Sequence, residues 1–239
     1  MTEPAVPLYA RLRDRLRASI LEGRLQPHDK LPSEAELSVE HGVSRITVRQ
    51  ALGDLQMEGL ILRQQGKGAF VSHPHTSQSL NRLQGLAEAL AGRGQPVHSQ
   101  RLALRALKMP PAVAAQLGAA PGSTGVRLTT LRYVAREPLS VNVSWFGQAL
   151  GERIARLDVS GRDLIAVLEQ DLGETVAQAH LDISAVAMPA REARWLKVAA
   201  GEPALRVHRV LCSVQESPLQ VETAIYRGDA FSYKLSLTR

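Results

Sequence analysis

Near the amino end of the chain, apolar residues recur at every fourth position with charged residues between them, which is typical of an amphipathic helix. They are Leu8, Leu12, Leu16 and Ile20. The pattern predicts a helix over residues 7–22 that stops at Gly23. A second helix is predicted from the N-cap Ser33, because Glu36 three residues later completes a capping box. We expect Gly42 to end this helix.

A third helix and a hairpin follow directly. The helix is predicted to begin at the N-cap Ser44 and to close at Gly59, with apolar side chains at i, i+3, i+4 and i+7. This core stripe consists of Val48, Ala51, Leu52 and Leu55. Two strand-like runs, residues 60–63 and 69–72, flank a turn with glycine-lysine-glycine at 66–68 and predict a β-hairpin.

The remainder of the chain mixes helix-like and strand-like segments. Residues 73–79 are polar, contain a proline and lack periodicity, so we expect a linker between a first domain, 1–72, and a second domain, 80–239. Helices are predicted near 82–92, 110–118, 162–172 and 189–198, and strands near 97–107, 124–134, 139–146, 175–187, 204–215 and 218–227. Turns at 135–138 and 216–218 join neighbouring strands as antiparallel hairpins. This order predicts an α+β domain with a mostly antiparallel sheet.

The composition is that of an ordinary globular protein. With 239 residues, 44% of them hydrophobic and 22% charged, the chain can bury a sizeable core in two domains. Its one cysteine, Cys212, lies in an apolar run, which excludes a disulfide framework and a cysteine-rich zinc site. Neither a signal-peptide core nor a run of about 18 apolar residues is present, so we expect a cytoplasmic protein with no membrane partner.

The charge distribution does not by itself locate a binding segment. A net charge of +6 suggests a polyanionic partner. Residues 1–79, however, hold ten basic and nine acidic side chains, so most of the excess lies further along the chain. The positions of individual arginines are therefore more informative than the total.

The third helix has an exposed face with side chains suited to a DNA groove. Opposite the core stripe lie Ile46, Arg49 and Gln50, with Arg45 beside them. Arginine can donate two hydrogen bonds to guanine, glutamine can pair with adenine, and isoleucine can contact a thymine methyl group. The alternative reading is an ordinary solvated face.

The residues around this helix suit phosphate contacts. Ser44, Thr47 and the amides at the helix start can hold phosphates, because unpaired N–H groups favour anions. Lys67, between two glycines at the hairpin tip, can reach a neighbouring groove or phosphate. A surface turn is the alternative, whereas a nucleotide-binding P-loop is not supported because the turn lies between two strands.

A set of short motifs runs through residues 7–72 in a fixed order. They are Leu31-Pro32-Ser33-Glu34, Ser44-Arg45, Thr47-Val48-Arg49, Ala51-Leu52, Glu58-Gly59-Leu60 and Gly66-Lys67-Gly68. This order resembles the winged helix-turn-helix of GntR-type bacterial transcriptional regulators. The resemblance implies a protein that reads DNA with its third helix and with the hairpin, which serves as the wing.

The resemblance also implies which residues contact DNA and in what assembly. Together with Ile46 from the helix face, the candidates are Ser33, Glu34, Ser44, Arg45, Thr47, Arg49, Gln50, Lys67 and Gly68. Regulators of this type are typically homodimers on near-palindromic operators. A two-fold dimer would place its half-sites about one helical turn, ~10 base pairs, apart.

The second domain carries a looser resemblance. The segments are PGSTGVRLTTLRYVAREPLSVNVSWF (121–146) and SPLQVETAIYRGDAFSYKLSLTR (217–239). They resemble the UTRA effector-binding domain of the HutC-type GntR subfamily, which is similar in fold to chorismate lyase. The resemblance implies a small-metabolite effector that modulates DNA binding, and a regulator that most often represses.

Strand alternation offers candidates for the effector pocket. Arg132 ends an otherwise apolar or small face of one strand, Glu222 and Tyr226 share a face of another, and Asn142 and Ser144 share a face of a third. We hypothesise that these residues converge on a polar ligand, with Arg132 binding a carboxylate or phosphate by two parallel hydrogen bonds. The alternative is that Arg132 and Glu222 are partly buried structural partners or rim charges.

The chain departs from the sugar-phosphate-sensing members of the family. Those carry an arginine in place of Thr130, an acid in place of Asn142, and Ser-Phe in place of Gly85-Leu86. An anionic effector remains our hypothesis, but the resemblance does not extend to a specific sugar phosphate.

Other candidate chemistry is weak. His73 and His75 have no third ligand nearby in the sequence, so we predict no metal site and no cofactor. Asp163, Glu169 and Asp171 are predicted to form an exposed helix face. Because we find no nucleophile, base and orienting group with a recognisable spacing, we predict that the protein is not an enzyme. The alternative is an enzyme with chorismate-lyase-like chemistry fused to a DNA-binding module.

Overall fold

The structure, a computed structural model, describes residues 7–26, 29–64, 66–72, 76–91, 95–134 and 136–237. The chain divides into two units, Met1–His75 and Thr76–Arg239, each with its own hydrophobic core. His73 and His75, considered above for a metal site, lie outside the described residues. No helix among the described residues is long and apolar enough to cross a membrane.

The first unit contains three helices followed by a hairpin. Its elements are α1 (Leu8–Leu21), α2 (Glu34–His41), α3 (Arg45–Met57), β1 (Ile61–Gln64) and β2 (Gly68–Val71). The two strands are antiparallel, as predicted. The predicted stripe on α3 is fully buried and packs with Leu37 of α2 and Ile61 of β1. The repeat of apolar positions thus produces one core beneath all five elements.

Local signals in the sequence set the ends of the helices in this unit. Ser33 accepts a hydrogen bond from the Glu36 amide at 3.2 Å, and the Glu36 carboxylate accepts one from the Ser33 amide at 2.7 Å, which completes the predicted capping box. Gly42 ends α2 in the left-handed region at φ 63°. Ser44 caps α3 through the amide of Thr47. These predictions are confirmed.

The second unit is built on a sheet with helices on both faces. Its elements are β3 (Thr76–Ser79), α4 (Leu86–Leu90), β4 (Val97–Lys108), α5 (Pro111–Gln116), β5 (Thr124–Val134), β6 (Glu137–Gly147), α6 (Gln148–Ala155), α7 (Leu164–Ala166) with a π-helical turn (Val167–Asp171), β7 (Val176–Ala187), α8 (Ala190–Leu196), β8 (Pro203–Ser213), β9 (Pro218–Arg227) and β10 (Phe231–Lys234). Among the described residues, six strands form an antiparallel sheet in the order β4-β5-β6-β9-β8-β7. The predicted fold class and both predicted hairpins are confirmed.

Each face of the large sheet has its own apolar clusters. On one face, side chains from α8 and α5 pack against β5, β6 and β9, around Leu196 and Ala114. On the opposite face, one cluster includes Leu86 and Phe231, and another includes Phe146 and Leu168. Polar side chains lie on this second face as well, and they form the candidate pocket discussed below.

Some segments differ from the sequence-based expectation. Residues 76–79, predicted as part of a linker, form β3, which pairs in parallel with β10. Their polar sequence gave no strand signal because the pairing depends on a segment more than 150 residues away. The helix predicted near 82–92 is shorter, at Leu86–Leu90, and the prediction omitted α6.

Candidate nucleic-acid interface and ligand pocket

The face of α3 opposite its core stripe is open to solvent. Ile46 is 77% exposed, and Arg45, Arg49 and Gln50 are exposed beside it, whereas Val48 is completely buried. An isoleucine this exposed contributes nothing to the core, so its position is not explained by packing in this unit. The side chains that the sequence assigned to base contacts therefore share one accessible surface.

A single carboxylate connects three elements at this surface. Glu34, the first residue of α2, accepts a hydrogen bond from Arg49 Nε of α3 at 2.8 Å. Its other oxygen accepts a hydrogen bond from Arg63 of β1. The guanidinium of Arg49 is thus held in a defined orientation although its side chain is 66% exposed. Arg63 was missed in the sequence because its strand showed no pattern that distinguishes a groove-facing arginine from a solvated one.

The hydroxyls at the helix starts already have partners. Ser33 Oγ and Ser44 Oγ each accept a backbone amide as N-caps, and Ser44 Oγ also lies 2.9 Å from Thr47 Oγ1. Both caps fix the ends of α2 and α3 at the exposed surface. Any phosphate contact by these hydroxyls has to be made in addition to the cap.

The tip of the hairpin needs its two glycines. Gly66 and Gly68 have φ values of 75° and 115°, which side chains with a Cβ rarely adopt. Lys67 between them is exposed. A Cβ added at Gly68 would lie 3.2 Å from Lys30 Cε, so a second lysine stem lies against the tip. The tip therefore presents positive charge on a narrow backbone.

In the second unit, the five residues predicted for the effector pocket lie on one face of the sheet. Strand register aligns Arg132 with Ser140 and Tyr226, and Ser144 with Glu222; Asn142 lies between the two rows. Each of the five is less than a tenth exposed. The structure thus brings together the residues that strand alternation had selected, and it buries them.

Hydrogen bonds tie part of this group into a network. Glu222 accepts hydrogen bonds from Ser144 Oγ and from Arg209 Nη2, both at 2.9 Å. Gln220 Nε2 donates to Ser144 Oγ at 2.8 Å, and Asn142 Oδ1 accepts from Ser140 Oγ at 2.7 Å. Burial alone would raise the pKa of Glu222, but Arg209 and Arg132 outweigh it and lower that pKa. Glu222 is therefore an ionised buried carboxylate.

Arg132 pairs with Asp163 rather than with Glu222, and the position of Asp163 contradicts its predicted place on an exposed helix face. Asp163 is not on an exposed helix face; it is buried, with Oδ1 3.7 Å from Arg132 Nη2. Burial opposes the charge of Arg132, but the carboxylates of Asp163 and Glu222 and the Tyr226 phenol outweigh it and raise the arginine pKa. Burial raises the pKa of Tyr226, which stacks on Phe231 with ring centres 4.1 Å apart.

Several buried polar atoms of this group have no hydrogen-bond partner. They are Arg132 Nε, Arg209 Nε, Asn142 Nδ2 and Gln220 Oε1. The Asn142 amide contributes to lowering the pKa of Glu222, although it forms no well-shaped hydrogen bond to it. Buried donors without acceptors are uncommon and costly in folded proteins. Three of these four atoms are donors, so a ligand rich in oxygen acceptors would satisfy the group best.

The buried group borders a small cavity. A cavity of about 130 Å³ is lined in part by Arg209, Tyr233 and Leu181. Arg209 thus faces both the cavity and Glu222. Small-molecule sites usually enclose roughly 300–1,000 Å³. This cavity therefore suits a group of only a few atoms unless a neighbouring segment moves.

Three residues of the pocket were not among the sequence-based candidates. Gln220 shares its face with Glu222, so strand alternation could have included it. Arg209 interrupts the alternating apolar positions of β8, a signal that also marked Arg132. Asp163 gave no signal, because its contacts with β5 and α4 depend on how the segment before α7 folds back on the sheet.

Two groups outside the candidate pocket have ordinary structural roles. His208 contacts Gln116 and Thr223 on the opposite face of the sheet. Cys212 is buried as a free thiol. No group of three or more potential metal ligands occurs among the residues that the structure describes.

A winged helix-turn-helix with an exposed basic helix face, followed by an α+β unit, defines a DNA-binding transcriptional regulator. Comparison with known families agrees: residues 8–71 match the family model for bacterial regulatory proteins, gntR family, and residues 92–232 match the UTRA domain. The chain belongs to the gntR family and carries a UTRA domain.

Similar proteins include named repressors. The chain is 28% identical to the HTH-type transcriptional repressor NagR of Bacillus subtilis, over 95% of this chain and 93% of that protein. It is 30% identical to the histidine utilization repressor of Pseudomonas aeruginosa, over 87% of this chain and 82% of that protein. Among solved structures, PhnF from Mycobacterium smegmatis has the same fold, with a TM-score of 0.77 at 23% identity, over 95% of this chain and 99% of that one. The predicted family is confirmed.

Proposed function

We propose that this regulator is a repressor that binds a near-palindromic operator as a homodimer in the cytoplasm, and that a small anionic metabolite in the second unit releases it. The exposed face of α3, where Arg49 is oriented by Glu34, is the observation that carries the DNA-binding part. The names of the relatives in Bacillus subtilis and Pseudomonas aeruginosa support repression.

In this proposal, α3 lies in the major groove. Arg49 donates two hydrogen bonds to a guanine, Gln50 pairs with an adenine, and Ile46 contacts a thymine methyl group. Arg45, Ser44 and Thr47 at the start of α3 hold phosphates together with its free amides. The remaining contacts come from the start of α2 and from the wing, through Ser33, Glu34, Lys67 and Gly68.

A binding titration tests this interface. The full chain and labelled DNA from upstream of its own gene are titrated at several salt concentrations. We expect a discrete, salt-dependent complex that Arg49→Ala weakens by about 1–3 kcal/mol, roughly five- to 150-fold. Arg156→Ala removes the same charge from an exposed position in the second unit and serves as the matched control. Equal affinity of the wild type for the upstream DNA and a scrambled duplex would contradict the proposal.

The ligand part of the proposal is supported by the buried donors of the second unit. Arg132 Nε and Arg209 Nε are buried without acceptors, and carboxylate or phosphate oxygens are the acceptors that guanidinium groups bind best. In this proposal Asn142, Ser144, Glu222 and Tyr226, which are buried on the same face of the sheet, complete the binding site.

A thermal-shift screen of phosphorylated sugars, amino-acid catabolites and phosphonates tests this part. A ligand should raise the melting temperature with concentration and release the operator DNA. We further propose that the site binds without catalysis, so the ligand should be recovered unchanged after release. Steady conversion of that ligand would instead support an enzyme.

A further inference from the structure

The buried carboxylate of Asp163 is used in an unusual way. Asp163 stands at the N-cap of α7, yet its side chain makes no capping bond to that helix. Instead, Oδ2 accepts a hydrogen bond from the backbone amide of Glu88 in α4 at 3.0 Å, and Oδ1 faces Arg132. The carboxylate therefore links α4 to Arg132 of β5, although the three segments are distant in sequence.

The position next to this carboxylate has no room for a side chain. A Cβ added at Gly85 would lie 2.1 Å from Asp163 Cγ, far inside any normal contact. Gly85 has φ −76°, which every residue adopts, so space rather than backbone conformation calls for glycine here. Asp163 and Gly85 thus fit one another, and the carboxylate fills the volume that a residue at 85 would otherwise take.

Asp163 balances the charge of Arg132 without accepting a hydrogen bond from it. The 3.7 Å between Nη2 and Oδ1 exceeds hydrogen-bond length, and Arg132 Nε is buried without a partner. Arginine and carboxylate groups at binding sites usually form two parallel hydrogen bonds instead. A ligand anion that reached Arg132 in that geometry would bind it better than Asp163 does.

Charge balance decides how such an anion can enter. The charges of this group belong to buried Arg132, to Arg209, whose side chain is 16% exposed, and to two buried carboxylates, Asp163 and Glu222. An added anion would leave an excess negative charge in a buried site, which is costly. An anion that replaces Asp163 keeps the balance, and the space beside Arg132 is then available to it.

We propose that Asp163 is an internal competitor of the effector, and that a ligand carboxylate or phosphate binds Arg132 by displacing the Asp163 side chain. This proposal rests on the effector-binding part of the proposed function. Asp163 leads directly into α7 and the π-helical turn, whose apolar side chains pack in the core. Displacement of Asp163 therefore loosens residues 163–171 when the ligand binds. The ligand-free and ligand-bound states then differ in their contacts, as a ligand-driven switch requires.

Inorganic phosphate and acetate, titrated separately into the full chain by calorimetry, are the probes. Asp163→Asn keeps an acceptor for the Glu88 amide but removes the competing charge. We expect this variant to bind one of the two anions about tenfold more tightly than the wild type. This factor corresponds to a wild-type site that Asp163 leaves open in about one molecule in ten and that is always open in the variant. Preference for phosphate or for acetate identifies the acidic group. Asp171→Asn, an exposed acid of the same segment, should bind like the wild type.

Two further measurements keep the proposal falsifiable. Asp163→Asn combined with Arg132→Gln should lose the gain, and tight anion binding by this double variant would overturn the proposal, as would equal affinity of Asp163→Asn and the wild type for both anions. If Asp163→Asn does not fold, hydrogen exchange of the wild type decides: residues 163–171 should exchange faster at saturating anion, and unchanged exchange refutes displacement. Operator binding is measured in a separate experiment. A negative result for anion displacement therefore leaves the assignment as a DNA-binding regulator intact, and a negative result for operator binding does not affect the anion measurements.

Discussion

Replacing Glu34 with glutamine tests whether this carboxylate positions Arg49 for base reading. Both pairs made by Glu34 are partly exposed, with 66% of the Arg49 side chain and 37% of the Arg63 side chain accessible. Exposed ion pairs contribute about 0–1 kcal/mol each to stability. We therefore expect Glu34→Gln to change the free energy of unfolding by about 1 kcal/mol or less, measured by urea denaturation.

The effect on DNA binding should be larger for specific than for nonspecific sites. Without the carboxylate, Arg49 has to be ordered at the moment of binding, which costs about 0.5–1.5 kcal/mol for one flexible side chain. Removing a negative charge near the phosphates has the opposite effect and strengthens binding to any duplex. The ratio of specific to nonspecific affinity should thus fall roughly two- to tenfold or more.

A double-mutant cycle with Arg49→Ala isolates this coupling. We expect the two changes to be non-additive in specific binding by about 0.5–1.5 kcal/mol, because Glu34 acts through Arg49. Additive effects would show that the two residues act independently. An equal loss on specific and scrambled DNA would show that Glu34 contributes only to general affinity, and either result refutes the positioning role.

Two substitutions in the second unit test the packing and the buried charges. Gly151→Ala should lower the free energy of unfolding in urea by about 1–3 kcal/mol, because the new Cβ would lie 2.3 Å from Val126 Cβ. The control is Gly53→Ala in α3 of the first unit, where a Cβ would meet no atom within 4 Å, and this change should stabilise the protein by about 0.5–1 kcal/mol. If both changes shifted the stability in the same direction, the predicted difference in contacts would be wrong. Glu222→Gln should destabilise by about 3–5 kcal/mol at neutral pH, because it leaves the largely buried guanidinium of Arg209 without its carboxylate partner. Since the folded state lowers the pKa of Glu222, the stabilisation by its charge is present above the ordinary pKa of 4.5 and is lost as the pH falls towards the folded pKa. The unfolding free energies of the wild type and of Glu222→Gln should therefore converge in acid. A difference that persists in acid would assign the loss of stability to packing.

Much of the first unit was predictable because its signals are local. The capping box of Ser33 and Glu36 and the left-handed stop at Gly42 involve residues a few positions apart. The same holds for the apolar stripe of α3, which the helical repeat specifies without reference to the rest of the chain. What no local signal revealed is the contact of Glu34 with Arg49 and Arg63, since the three residues belong to different elements.

In the second unit, the sequence predicted the strands and two of their hairpins, but not how the hairpins pair with one another. Alternation assigned Arg132, Asn142, Ser144, Glu222 and Tyr226 to faces, but alternation cannot say which strands are neighbours. The register of β5, β6 and β9 aligned those faces. The parallel pairing of β3 with β10, from polar residues at the start of the unit, had no counterpart in the sequence pattern.

The sequence by itself therefore indicated the class of the protein, through motifs that resemble those of GntR-type regulators. Three helices, two of them with serine N-caps, a glycine-bounded wing and an exposed Arg49 follow from local periodicity and spacing. Only the tertiary structure decided which residues make up the candidate pocket. It buried Asp163, which the helical pattern had placed in solvent, against Arg132 and beneath Gly85. The physical reason is that helical and strand repeats record which face of an element is apolar, whereas a buried ion pair depends on which distant segments meet.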